Sequence, residues 1–160
     1  MIIHPQFPGG YAVFSDDIRH ELLGKITVVG QYSGEMQITA EGPVLIPLLC
    51  VSIFYRDDPA SFPKDLVVIV SQKGTDEVEL AKFAVQVPVA IDPIVMDPPL
   101  DEDGIVFAQV YLEARISPFH VKENCRVNVR AYYDDKEIRL GSLAVKLLPP
   151  VVPQAAPGMP

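Results

Sequence analysis

Helical periodicity is the first thing this 160-residue chain lacks. No window carries apolar residues at i, i+3, i+4 and i+7 over three turns, which excludes a helix bundle and any coiled coil. Basic charge is scarce as well. Thirteen Lys and Arg stand against 21 Asp and Glu, a net charge of −8, and that balance opposes a polyphosphate or anionic-lipid surface. Nucleic acid and membrane are therefore not expected as partners. Long hydrophobic runs are missing too. Val44 to Tyr55 is the longest, and it is interrupted by Pro47 and Ser52 and too short to span a bilayer. The N-terminus has neither a basic stretch nor an apolar stretch of signal-peptide type, so a cytoplasmic location is expected.

Cysteine and tryptophan are nearly or wholly absent: two Cys and no Trp. Cys50 and Cys125 lie far enough apart to invite comparison with the inter-sheet bridge of immunoglobulin domains. Side-chain parity opposes it. In Leu49-Cys50-Val51-Ser52-Ile53 the thiol falls on the side of Ser52, whereas in Cys125-Arg126-Val127-Asn128-Val129 it falls on the apolar side. Two free thiols are expected.

What the chain has is alternation of period two. It recurs at Tyr11–Ser15, Lys25–Tyr32, Glu35–Thr39, Ile46–Arg56, Leu66–Ser71, Val78–Val87, Ile105–Ile116, Cys125–Tyr133 and Ile138–Leu148. Ser33-Gly34, Asp57-Asp58-Pro59, Lys73-Gly74-Thr75-Asp76 and Asp134-Asp135-Lys136 punctuate it as bends and turns. A change of inward parity near Gly141-Ser142 predicts a β-bulge. The pattern predicts an all-β fold: an antiparallel two-sheet β-sandwich, Greek-key or immunoglobulin-like, of about eight or nine strands, with a closed barrel as the alternative. The sandwich domain spans 1–148. Residues 149–160, uncharged and rich in proline, form an extended tail.

Few residues carry site chemistry. Asp16-Asp17-Ile18-Arg19-His20-Glu21 offers carboxylates and an imidazole for a divalent cation, or a charged turn capping its own amides with Arg19 paired to a carboxylate. Asp97, Asp101 and Asp103 gather on the long connection before Ile105, as calcium ligands do on sandwich loops, yet without the spacing of an EF-hand. The metal reading therefore takes Asp16, Asp17, Glu21, Asp97, Asp101 and Asp103, and the solvated-loop reading takes the same residues. No serine stands in a G-x-S-x-G elbow. His4, His20 and His120 are scattered, and a Cys125–His120 pair rests on proximity alone. No catalytic residue and no cofactor are expected. For partner binding, Arg130 and Tyr132 share an exposed parity, and Pro150 and Pro153 fit P-x-x-P.

The stretch Ser15-Asp16-Asp17-Ile18-Arg19-His20-Glu21 followed by Gly24-Lys25 and a strand ending Gly30-Gln31-Tyr32 resembles the opening of a family of uncharacterised bacterial β-domain proteins. The late hairpin, Arg126 to Leu147, is similar to theirs. The resemblance covers about two-thirds of the chain and implies a sandwich domain without a catalytic residue; Ser15 stands where cysteine is common in that family. The expected function is a non-catalytic interaction or assembly module, bacterial or phage-associated, with a protein partner or self-assembly. A calcium- or small-ligand-binding sandwich is the alternative.

Overall fold

The computed structural model describes residues 7–86 and 108–151. Eleven strands occupy them: β1 (Gly9–His20), β2 (Ile26–Gln31), β3 (Glu35–Thr39), β4 (Val44–Ile46), β5 (Leu49–Asp57), β6 (Asp65–Lys73), β7 (Glu77–Gln86), β8 (Ala108–Ile116), β9 (Phe119–Val121), β10 (Cys125–Tyr133) and β11 (Lys136–Leu148). A single 3-10 turn at Leu22–Gly24 is the helical element among the described residues. Helices long and apolar enough to cross a membrane are absent among them.

One sheet runs β2-β1-β5-β8 and the other β3-β11-β10-β6-β7, with β4 and β9 paired to each other. The strand count exceeds the expected eight or nine for two local reasons. Pro47 has no amide hydrogen for a ladder, so the run read as one strand divides into β4 and β5. His120, read as a loop residue, lies in β9 opposite Leu45, where Phe119 and Val121 on either side of it are fully buried. One pairing is also parallel. The Ser33-Gly34 bend carries the chain from the first sheet to the second, and β3 joins β11 in the same direction.

One apolar core draws on both sheets. Phe14 of β1 and Val51, Ile53 and Tyr55 of β5 meet Val68 and Val70 of β6, Val127 and Val129 of β10 and Leu143 of β11. Alternation explains which residues face in. β5 departs from simple alternation because side chains also cover its other face: Cys50 lies against the Asp16 carbonyl and Ser52 against the Tyr111 hydroxyl, and both are buried.

The predicted bulge is present. Val129 pairs with Gly141 and Arg130 with Arg139, which leaves Leu140 as the extra residue. Leu140 enters the core, and Gly141 meets β1: a Cβ at that position would lie 2.9 Å from the Ala12 Cβ. Here the two sheets approach so closely that any side chain larger than hydrogen crowds Ala12.

Candidate functional site

The acidic segment expected as a turn is strand. β1 changes neighbour along its length: Gly9–Ser15 pair with β5, while Ser15 and Asp17–His20 pair with β2. Beyond Ser15 the two strands form a ribbon that β5 no longer accompanies. The backbone carbonyls on the abandoned side need donors, and side chains supply them. Arg115 Nη2 of β8 donates to the Ile18 carbonyl, and Cys50 Sγ lies 3.9 Å from the Asp16 carbonyl oxygen. Asp residues disfavour strand interiors; these tertiary contacts override that preference.

Polar side chains fasten the ribbon to β8. Arg115 pairs with Glu113 at 2.6 Å and with Asp17 at 3.6 Å, and Asp17 pairs with Arg19 at 3.2 Å. His20 Nε2 lies 2.7 Å from Glu113 Oε2, and Tyr111 donates to the same oxygen at 3.1 Å. Burial alone would raise the Glu113 pKa, but its bonds to Arg115, His20 and Tyr111 outweigh this and hold it below the ordinary carboxylate range. The Arg19 bond, helped by the Ile18 amide and Arg115, depresses Asp17 likewise. Cys50, fully covered, has its thiol pushed up by burial, the opposite of an activated nucleophile.

The far end of the ribbon is apolar and bare. Leu22 is 88% exposed and Leu23 95%, and Ile26 and Val28 on β2 are each 36% exposed. Leu23 adopts φ 65° and Gly24 φ 71°, two left-handed residues in succession that let the hairpin close, with the Glu21 amide donating to the Lys25 carbonyl at 2.8 Å. For leucine that conformation is strained by about 1–2 kcal/mol. β2 is also the outermost strand of its sheet among the described residues, where one row of its backbone groups has no strand partner.

The outer face of the five-stranded sheet has a different character. Arg130 reaches Glu77 at 3.5 Å and Glu137 at 3.4 Å, and Ser71 Oγ donates to Glu77 at 2.8 Å. Tyr132 is the leading influence that holds the Arg130 pKa up, with Glu137 and Glu77 adding to it. A hollow of about 670 Å³ opens beside them, bordered by Lys73, Arg126, Asn128, Arg130, Arg139 and Ser142.

The candidate metal ligands take separate partners. Asp16 accepts from the Tyr32 hydroxyl across the glycine gap at Gly30, Asp17 binds the two arginines, and Glu21 accepts from Thr27. Among the described residues no group of three or more His, Cys, Asp or Glu is placed to hold a metal ion. Asp97, Asp101 and Asp103 lie outside the described residues, as do His4 and Pro153. Arg19 pairs with a carboxylate as expected, that of Asp17. His120 and Cys125 are linked through Gln72, whose Nε2 donates to the His120 backbone carbonyl at 3.0 Å and to Cys125 Sγ at 3.3 Å. Both thiols are free; Cys50 is on the side away from the core, as parity indicated, but Arg115 and the ribbon bury it. Pro150 is exposed. Sequence reasoning missed the Leu22-Leu23 tip, although two leucines between a charged segment and Gly24 were its visible sign.

No protein-family model matches this chain, and no curated protein matches it significantly.

Proposed function

We propose that the chain is a non-catalytic interaction module that engages a protein partner through the β1–β2 arm. The observation that carries this reading is the tip itself. Four of the nine large exposed hydrophobics among the described residues, Leu22, Leu23, Ile26 and Val28, belong to this one hairpin. Scattered apolar side chains are ordinary on a protein surface, whereas a cluster on a projecting edge is a docking feature. Strain at Leu23 adds to the case, since backbone strain collects where function requires it. The polar groups behind the tip bind one another, so the network serves to fix the arm's direction rather than to act on a substrate.

The order β11-β10-β6-β7 on one side and β1-β5-β8 on the other supports an immunoglobulin-like sandwich. In that scheme β6, β10 and β11 are the core of one sheet, and β1, β5 and β8 the core of the other. The resemblance noted for Ser15–Tyr32, if it reflects kinship, is in keeping with a bacterial or phage assembly role.

Photo-crosslinking tests the reading. A photoreactive residue at Leu22 should give one discrete adduct in cells of the source organism, and the same residue at exposed Lys82 should give none. Adducts of equal yield from both positions, or from neither, would overturn the assignment of the arm.

A further inference from the structure

The outer face of the five-stranded sheet sets like charges opposite each other. Arg126 of β10 pairs in register with Lys73 of β6, and Arg130 of β10 with Arg139 of β11. Like charges directly across a strand pair destabilise it unless an anion lies between them. The second pair has its anion. Glu137 sits 3.4 Å from Arg130 and 3.9 Å from Arg139, and Glu77 approaches Arg130 at 3.5 Å. The first pair does not. Arg126 donates to the Ser142 hydroxyl at 3.1 Å, and no carboxylate of the described residues forms an ion pair with it or with Lys73. Glu77 lies opposite Lys73 in the register, but it turns to Ser71 and Arg130.

All four cations border the same hollow of about 670 Å³, with Asn128 and Ser142 between the two pairs and Ser142 Oγ donating to Asn128 Oδ1 at 3.2 Å. One end therefore already shows what it binds, the carboxylates of Glu77 and Glu137, and the other end repeats the cationic half of that arrangement with the acid missing. In a chain of net charge −8 such a site is local. Glu77, Glu79 and Glu137 flank it and would repel an anion whose charge runs along its whole length, so the acid received is confined to the Lys73–Arg126 end.

We infer that the hollow receives the carboxylates of an acidic peptide segment on a partner protein, with Lys73 and Arg126 as the charged anchors. This surface is on the other sheet from the arm and stands whether or not the arm docks a partner.

Fluorescence anisotropy of the full chain with a short labelled Glu-Gly repeat peptide tests it, against the matching Gln-Gly peptide. The acidic peptide should bind and the neutral one should not. Binding should weaken steeply between about 50 mM and about 500 mM salt as screening shortens the reach of the charges. Lys73→Gln with Arg126→Gln should reduce affinity by about tenfold or more while leaving the thermal midpoint unchanged or higher, since a repulsive pair is removed. Leu23→Gly at the arm should leave peptide affinity unaltered, which separates failure here from failure of the arm. Equal binding of both peptides, or full affinity in the double variant, would overturn the inference. So would displacement of the peptide by inorganic phosphate or oligothymidylate at lower concentrations than by unlabelled acidic peptide.

Discussion

The two halves of β1 differ in almost every respect but sequence continuity. Gly9–Ser15 is held between β5 and the closely approaching β11, with Phe14 in the core and Ala12 against Gly141. Asp17–His20 has β2 alone as a strand neighbour among the described residues and is tied further by Arg115, Glu113 and Cys50. The near half is stabilised by burial and the far half by polar ties, and the far half leads into a tip whose leucines are 88% and 95% exposed. Hydrophobic residues at one end of the hairpin are buried in the core, and those at the other end are exposed.

Removing the near half's anchor should have the largest effect. Phe14→Ala, which empties a buried aromatic site, is expected to cost about 3–5 kcal/mol in denaturant unfolding. Ile26→Ala on the arm should stay within about 0.5 kcal/mol of wild type, as surface changes do. Equal losses would abolish the contrast.

Gly141→Ala comes next, at about 1–3 kcal/mol, because its methyl group would press on Ala12. Combined with Ala12→Gly, much of the loss should return. A double variant no better than the single one would show that the sheets do not touch there as described.

Cutting the polar tie is a smaller change. Glu113→Gln should cost about 1.5 kcal/mol near neutral pH, the low end for hydrogen bonds to a charged group because the amide keeps some of the contacts, and should speed hydrogen exchange in Asp17–His20 without altering it in Val127–Ala131. The pH dependence has a defined sign. Glu113 and Asp17 sit below their ordinary values of 4.5 and 3.8 when folded, so their contribution is complete above those values. It is lost as pH falls through the folded values, because the unfolded chain then binds protons more readily. Glu113→Gln should flatten that acid limb; an unchanged limb would remove Glu113 from the account. Tyr32 acts in the other direction, since burial and Asp16 push its phenol up to about 12. The stability it supplies is present below pH 10 and declines as pH rises toward that value.

Most of the framework was legible because alternation survives wherever one face meets a core. Cys125–Tyr133 is strand over the same residues as its pattern, and the parity change near Gly141 marked the bulge at Leu140. The arm was not legible. Asp16 to Glu21 has the composition of a turn, and what makes it strand as far as His20 is pairing with β2 together with an arginine from β8, 97 residues along the chain from Ile18. The short β4–β9 pair escaped for a similar reason, since three-residue strands carry too little periodicity to register. The cationic hollow was half visible: Arg130 and Tyr132 were singled out, but Lys73 joins Arg126 only through the β6–β10 register.

Denaturant unfolding of Leu23→Gly tests most directly whether the tip serves contact rather than stability. Glycine adopts the left-handed conformation freely, and Leu23 buries almost nothing, so the variant should be more stable than wild type by about 1 kcal/mol. A loss of stability instead would mean that Leu23 supports the fold, and would contradict the contact role.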